Sequence, residues 1–359
     1  MSHVVDLTTF FCCLHCGGDL QLIENGLLCA ECGTQFAINE GIVCLVPEGL
    51  RTDDALTSHH HELIRRAMEV GWEAAVREHT RRYDGMQGVE YANEYICSEA
   101  RADFRFLMPI DSKSVLLDVG SGWGNITTAF ARTVRYVIAL DTNLDNLRFV
   151  QLRAQQEGLH NVIVAQSDAC ILSIRQASCD AALMVGALEW IARGRVDDPP
   201  QCLQKQALQR VHRALKPGGC LYLAIENRFS FKYFLGAKEP HTNLRFISIL
   251  PNVVAQRYSR LIRQRDYREI TYSLWGLRKL LHSVGFEQVD FFFPIPDHKN
   301  FRFLVDFENR DVTRFVLEQL RTHPKFSRWQ YLASRIMLSL PLRLEHFFWP
   351  GFSVLAVRP

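Results

Sequence analysis

The residues that most restrict this chain are Val115 to Thr128, reading V-L-L-D-V-G-S-G-W-G-N-I-T-T. A short apolar strand, Val115 to Val119, carries one acid, Asp118, and runs into a turn with glycines at 120, 122 and 124. Residues compatible with a helix follow from Ile126 to Arg132. This order sets bare backbone around Gly120, Ser121, Gly122 and Gly124 at the carboxyl end of a strand, where open α/β sheets take their ligands. The glycine spacing narrows the choice of ligand. A dinucleotide fingerprint, G-x-G-x-x-G/A, needs Gly or Ala at 125, but Asn125 stands there and the third glycine comes one place early.

Alternating strand and helix patterns continue downstream. Arg135 to Leu140 reads as a second strand ending at Asp141 and Thr142, and Asn161 to Ala165 as a third followed by Ser167-Asp168-Ala169. Cys179 to Val185 is the fourth, running into Gly186-Ala187-Leu188-Glu189-Trp190. Leu215-Lys216-Pro217-Gly218-Gly219 is expected to form a tight turn into a fifth strand, Cys220 to Ile225. Residues 273–284 read as an amphipathic helix ended by Gly285, with strand six over Glu287 to Phe293 and a last strand over Phe352 to Val357. Taken singly, Asp141 is as readily a helix N-cap, and Asp168 a solvated loop acid. The reading rests on the order and spacing of five features over residues 115–225 together.

G-x-G-x-G after a strand-borne acid resembles the first motif of the class I S-adenosylmethionine-dependent methyltransferases, and the later elements fall where that family has its own. The resemblance implies an α/β fold: a Rossmann-like seven-stranded methyltransferase sheet with an antiparallel last strand. It implies S-adenosylmethionine as cofactor, with Asp118, Gly120, Ser121, Gly122 and Gly124 in the binding turn and Gly186 beside it. Asp141, with Thr142, matches the acid that takes the ribose hydroxyls, a task suited to a carboxylate because it accepts two hydrogen bonds from a vicinal diol. Asp168, with Ala169, matches the adenine-contacting acid. No N/D-P-P-Y/F motif follows strand four, where Gly186-Ala187-Leu188-Glu189 stands instead, which counts against methylation of a base's exocyclic amine.

A second signal lies near the start. Cys13-Leu-His-Cys16 is separated by twelve residues from Cys29-Ala-Glu-Cys32, and a glycine follows each pair to make a tight knuckle. Four thiolates in that arrangement give a closed tetrahedral zinc site with no open position, a structural metal and not a catalytic one. Cys12 is a register rival to Cys13; the symmetry of the pairs favours Cys13. His15, between the ligands, reads as a surface residue. With Phe36 after the second knuckle and the ending Gly41-Ile42…Leu45-x-Pro47, the segment resembles the Trm112-like zinc-ribbon family, a module associated with methyltransferases.

The expected division is a ribbon over 1–50, a helical linker and cofactor-covering segment over 51–110, and a methyltransferase domain over 111–359 with insertions near 228–271 and 300–348. Pro47 to Asp54 reads as the boundary. Leu63, Ala67, Val70 and Ala74 recur at helical intervals. The aromatics Tyr91, Tyr95 and Phe104 precede strand one, where the family's chain often closes over its cofactor; taken singly, each reads more readily as ordinary helix packing. A net charge of +2 and a pI near 8.0 lack the basic signature of a nucleic-acid binder. The first residues, M-S-H-V-V-D-L, show no signal-peptide pattern, and no apolar run reaches the roughly 18 residues of a membrane span. Cytoplasmic placement is expected.

Glu226-Asn227-Arg228 leave the carboxyl end of strand five, and His241 follows in a polar loop with Lys238 and Glu239. This stretch and Pro294-Ile-Pro-Asp-His-Lys299 resemble bacterial class I methyltransferases encoded beside glycosyltransferases for surface polysaccharides. The base candidates are Glu189, Glu226 and His241, histidine having the pKa best suited to deprotonation near neutrality. The reading is O-methylation of a saccharide or other small-molecule acceptor, with S-adenosylmethionine as cofactor and structural Zn2+. One alternative is an RNA methyltransferase using the ribbon for recognition. Against it stand the modest charge and a second metal pair that is C-x-x-C where such enzymes have C-x-x-x-H. Another is a non-catalytic cofactor-binding scaffold.

Overall fold

The computed structural model of the 359-residue chain describes residues 7–47, 57–195, 198–319, 321, 328–339 and 343–359. The boundary expected over Pro47 to Asp54 lies almost wholly outside the described residues, as do the first six residues. Two units are present: Met1–Met184 with Gln206–Leu221 and Arg358–Pro359, and Val185–Lys205 with Tyr222–Val357.

The first unit contains β1 (Leu20–Ile23), β2 (Gly26–Cys29), β3 (Gln35–Asn39), β4 (Ile42–Leu45), β5 (Val115–Val119), β6 (Tyr136–Asp141), β7 (Val162–Ser167), β8 (Cys179–Val185) and the first half of β9 (Leu215–Glu226). Their order is β1-β2-β3-β4-β7-β6-β5-β8-β9, and β7, β6, β5 and β8 are mutually parallel. All five residues of β5 are buried, including Asp118, as a parallel strand covered on both faces requires. The cysteine-bearing hairpins are continuous with this sheet. β4 pairs in parallel with β7 (Val43↔Ala165, Leu45↔Ser167), so Ile42 and Leu45, fully buried, belong to the core of the α/β unit.

Four helices of this unit bear on the site: α1 (Thr57–Val70), α2 (Trp72–Tyr91), α3 (Asn125–Ala131) and α4 (Leu144–Gln156). Leu63 and Ala67 of α1 pack with Ala75 and Val76 of α2 against Phe149 of α4. The single helical period expected through Val70 and Ala74 does not hold. Gly71, at φ +91°, breaks the helix and resets its phase, leaving Val70 and Ala74 exposed and turning Ala75 and Val76 inward. Phe104 is fully buried against Phe130, with ring centroids 5.5 Å apart, and is a core residue.

The second unit holds the end of β9, then β12 (Gly351–Val357), β10 (Gln288–Ile295) and β11 (Phe303–Asp306), in that order. β12 and β11 each run antiparallel to β10. Phe293, on β10, stacks on Phe307 at 3.8 Å and meets Trp349 at 4.6 Å, giving this unit an aromatic core. A helix over Leu274–Val284 is capped by Ser273 and ends at Gly285, as read from sequence. Strands β7-β6-β5-β8-β9 and β9-β12-β10 make up the seven-stranded α/β pattern. β1–β4 continue the first set beyond β7, and β11 continues the second beyond β10. The tight turn expected over Leu215 to Gly219 is instead the start of β9. Gly218 N–H donates to Arg358 O (2.8 Å) and Arg358 N–H to Gly219 O (2.9 Å), which draws the segment into strand pairing. No helix among the described residues is long and apolar enough to cross a membrane.

Candidate active site

The glycine turn is held from both sides. The N–H groups of Gly120 and Ser121 donate to Leu140 O at 2.8 and 2.9 Å, locking the end of β5 to the end of β6. Gly122 N–H donates to Asp141 Oδ2 at 3.0 Å. Asp141 also accepts from Asn143 N–H (2.9 Å) and Asn146 Nδ2 (3.3 Å), so its carboxylate shapes the turn before any ligand arrives. Gly124, at φ +74°, could not carry a side chain: a Cβ there would lie 2.9 Å from Val150 on α4. Asp118 is 3% exposed and accepts from Thr127 Oγ1 at 2.6 Å. Burial pushes its carboxyl up to about 6, and the bond from Thr127 only partly opposes this. Burial also raises Asp141, against three backbone donors and Asn146.

At the end of β7, Asp168 Oδ1 accepts from Cys170 N–H at 2.7 Å and caps the short turn Ala169–Ile171. Thr142 offers its carbonyl to Gln166 Nε2 at 2.9 Å. Two hydroxyls close in sequence to these acids, Ser121 Oγ and Ser167 Oγ, are buried with no hydrogen-bond partner among the described residues. Buried donors and acceptors are nearly always satisfied, by protein, water or ligand, so these two hydroxyls are available to a polar group from outside the chain. Sequence reasoning gives Ser167 no role of its own; its place as the last residue of β7, just before Asp168, is the available signal.

In the second unit the geometry gathers all three base candidates. Glu189 lies on a 3-10 turn four residues after β8, Glu226 is the last residue of β9, and His241 sits in the loop beyond. Their side chains are 1%, 7% and 3% exposed, with His241 Nε2 at 3.5 Å from Glu189 Oε1 and 3.7 Å from Glu226 Oε2. Glu239, which is not among the sequence-derived site residues, anchors the group. Its Oε1 pairs with His241 Nδ1, while its Oε2 accepts from His241 N–H (3.1 Å), Thr242 N–H (2.7 Å) and Thr242 Oγ1 (2.7 Å). Trp190 packs edge-on against the imidazole at 4.8 Å. Glu226 Oε1 faces Lys299 Nζ at 3.0 Å and His298 Nε2 at 3.6 Å.

The two carboxyls are driven apart. Burial raises Glu189 above the usual carboxylate range, with the bond to His241 opposing. Burial acts the same way on Glu226, but the charges of His298, Lys299 and His241 outweigh it and hold the group at about 2. Burial disfavours a charged His241, yet Glu189 and Glu239 carry it up to about 10. Among the described residues, Glu189 Oε2 and Glu226 Oε2 have no hydrogen-bond partner. Gly186, at φ +66°, donates its N–H to Ala224 O at 2.9 Å, and a Cβ there would be in ordinary contact, 3.7 Å, with Glu189 Oε1. The neighbouring Asn227 and Arg228 bond instead to backbone carbonyls, Asn227 to Phe347 and Trp349, Arg228 to Ser248 and Leu250.

The four cysteines of the two knuckles converge. Cys13 and Cys32 Sγ are 3.5 Å apart, Cys16 and Cys29 Sγ are 3.4 Å apart, and all four lie within 4.8 Å of one another. Gly18 N–H and Cys32 N–H point at the sulfurs of Cys16 and Cys29. His15 stacks on Phe36 instead, and Cys12 is not in the group; its N–H donates to Ser173 O.

A family model described as "Methyltransferase domain" matches residues 117–223. A curated relative, the ubiquinone biosynthesis O-methyltransferase of Brucella anthropi, is 28% identical over 195 residues, 54% of this chain and 71% of that protein. Among solved structures, the YcgJ protein from Bacillus subtilis covers 73% of this chain and 99% of its own (TM-score 0.41, 16% identity). The complex between the Haloferax volcanii Trm112 methyltransferase activator and a methyltransferase covers 82% and 97% (TM-score 0.42, 14% identity).

Proposed function

We propose that this chain, a class I S-adenosylmethionine-dependent methyltransferase, transfers its methyl group to a hydroxyl oxygen of a saccharide or other small molecule. The observation that carries the choice of oxygen is the buried Glu189–Glu226–His241 group, in which a carboxylate oxygen is left without a partner. A hydroxyl acceptor must lose a proton as it attacks, so it needs a base held in place. The O-methyltransferase named among the relatives points the same way.

Bound S-adenosylmethionine supplies a methyl group already activated on a sulfonium. The turn of Asp118, Gly120, Ser121, Gly122 and Gly124 holds it, with Ser121 Oγ and Ser167 Oγ as free partners for its polar groups. Asp141, with Thr142, takes the ribose hydroxyls through the acceptor capacity that its bonds from Gly122, Asn143 and Asn146 and the nearby Thr142 N–H leave over. Asp168 and Ala169 meet the adenine, and Gly186, the residue after β8, borders the cofactor turn. Glu189 Oε2 takes the acceptor proton, while Glu226, pinned by Lys299, and His241, pinned by Glu239, fix the charge around it.

Cys13, Cys16, Cys29 and Cys32 fit one structural Zn2+. Tetrahedral Zn–S bonds of about 2.3 Å place sulfurs about 3.8 Å apart; the two measured pairs, at 3.5 and 3.4 Å, lie slightly inside that spacing and the whole group within 4.8 Å. We divide the chain into a ribbon over 1–50, a covering segment over 51–110 and a catalytic domain over 111–359. We place the enzyme in the cytoplasm, where its eleven thiols stay reduced.

The test is calorimetric titration with S-adenosylmethionine and, as control, NADH, followed by methyl transfer to nucleotide sugars, oligosaccharides, small phenols and RNA. Saturable binding of the first alone and transfer to a hydroxyl compound are expected. Transfer to RNA only, or binding without transfer to any acceptor, would overturn the reading.

A further inference from the structure

Glu189, Glu226 and His241 are arranged as ligands are around a divalent cation. Each offers one atom, and the three lie within 4.8 Å of one another. With metal–ligand bonds of about 2.1 Å, neighbouring ligands sit roughly 3.0–3.5 Å apart and opposite ones about 4.2 Å apart. The contacts of His241 Nε2, at 3.5 Å to Glu189 Oε1 and 3.7 Å to Glu226 Oε2, are close to such edges and too long for good hydrogen bonds.

A second observation is independent of that spacing. Glu226 is 6% exposed and Glu189 1%, yet Oε2 of each has no hydrogen-bond partner among the described residues, and that of Glu226 faces the imidazole. A charged oxygen buried without a donor is expensive unless something cationic meets it. A third concerns the imidazole itself. Metal-bound histidines give their other ring N–H to a carboxylate or carbonyl that fixes the tautomer. His241 has this partner in Glu239, which is itself held by Thr242 Oγ1 and two backbone N–H groups. Lys299 and His298 meet Glu226 on Oε1, so they leave Oε2 free for an ion.

We propose that Glu189 Oε1, Glu226 Oε2 and His241 Nε2 bind one divalent cation of the Mn2+ class, hard enough for carboxylates and borderline enough for imidazole. The inference builds on the O-methylation reading and deepens it. An acceptor hydroxyl completing the coordination is acidified, and its proton passes to Glu189 Oε2. The oxygen's electron pair forms the new C–O bond as the C–S bond breaks, and the sulfur leaves as a neutral thioether.

The first probe is Mn2+ itself, followed by electron paramagnetic resonance on the full-length protein with its ribbon zinc in place and no acceptor present. We expect one Mn2+ per chain, displaced by Mg2+, with affinity reduced at least tenfold in Glu226→Gln and Glu189→Gln. Glu239→Gln, which keeps all three ligands, is expected to weaken binding by about 10–100-fold. S-adenosylmethionine titration of each variant reports whether it is folded. No Mn2+ bound at millimolar concentration, or equal binding by wild type and Glu226→Gln, overturns the site and leaves His241 as the resident cation. Such failure is separable from failure of the O-methylation reading: undiminished transfer under chelator removes the ion's role alone. Mn2+ binding without transfer to any hydroxyl removes the acceptor assignment alone.

Discussion

Two groups of side chains bring metal-binding atoms within the same 4.8 Å, and they do it in opposite ways. The thiols of Cys13, Cys16, Cys29 and Cys32 come from two adjacent knuckles, and two of the four, Cys16 and Cys32, are exposed. Glu189, Glu226 and His241 come from three separated segments, and their side chains are all buried. A soft-donor site on short hairpins can be held together by its own ion, so local spacing specifies it. A hard-donor site in the interior must be held by its surroundings. That is why Glu239, Thr242, His298 and Lys299 are gathered about the second group, while the first has little beyond two backbone N–H groups and Thr34.

The sharpest way to break this contrast is Cys29→Ser. Structural zinc contributes about 10–16 kcal/mol of apparent binding energy in small modules, most of it folding energy. Metal analysis is expected to fall from about one zinc per chain to none, with hydrogen-exchange protection lost over residues 13–45. Because β4 pairs with β7, the edge of β7 is bared and the variant is expected to aggregate. A metal-free wild type with unchanged melting temperature would remove the ribbon as a zinc site.

Next in size is Glu189→Gln, which keeps the shape and removes the proposed proton acceptor. Transfer should drop by about 10²–10⁴-fold with cofactor affinity nearly constant. A parallel loss of affinity, measured calorimetrically, would make Glu189 a cofactor ligand instead. Asp141→Ala should weaken cofactor binding about 100-fold, since it removes charge-assisted acceptors and also releases Gly122 N–H. Asp141→Asn, still able to accept from that N–H, should recover part of the loss; equal affinity in all three proteins would end the ribose assignment.

What the sequence discloses follows the same division between local and long-range. The β5 turn is legible because strand, glycine spacing and acid are consecutive, and the knuckles because C-x-x-C repeats. The pairing of β4 with β7 joins residues about 120 positions apart and leaves no periodic mark. Glu239 is visible only as a neighbour of His241; nothing local says that its carboxylate accepts from Thr242 and pairs with the imidazole. The phase reset at Gly71 is readable in principle, since a glycine between two apolar repeats often ends a helix, but the apolar spacing alone runs smoothly through it.

The smallest expected effect tests whether buried carboxylates in this chain are held against their own stability, as the contrast requires. Asp118 is 3% exposed, and burial lifts its carboxyl from 3.8 to about 6 despite the bond from Thr127. Between those values the folded chain holds a proton that the unfolded chain has released, so stability from this group is full at low pH and is lost as pH rises through about 6. The loss is of order 1–3 kcal/mol, since each tenfold change in proton affinity between the folded and unfolded chain is worth about 1.4 kcal/mol. Asp118→Asn, neutral at every pH, lacks this slope. Denaturant unfolding of the two proteins between pH 3 and 7 should show curves that lie closest at the acid end, separate upward of about pH 4 and keep a constant gap above about pH 6, with the variant the more stable there. If the variant also binds S-adenosylmethionine less tightly, the acid is retained for its ligand at the expense of the fold. Parallel stability curves would mean that Asp118 stays charged when buried, satisfied by Thr127 alone, and the contrast between a self-supporting thiol site and strained interior carboxylates would not extend to the cofactor turn.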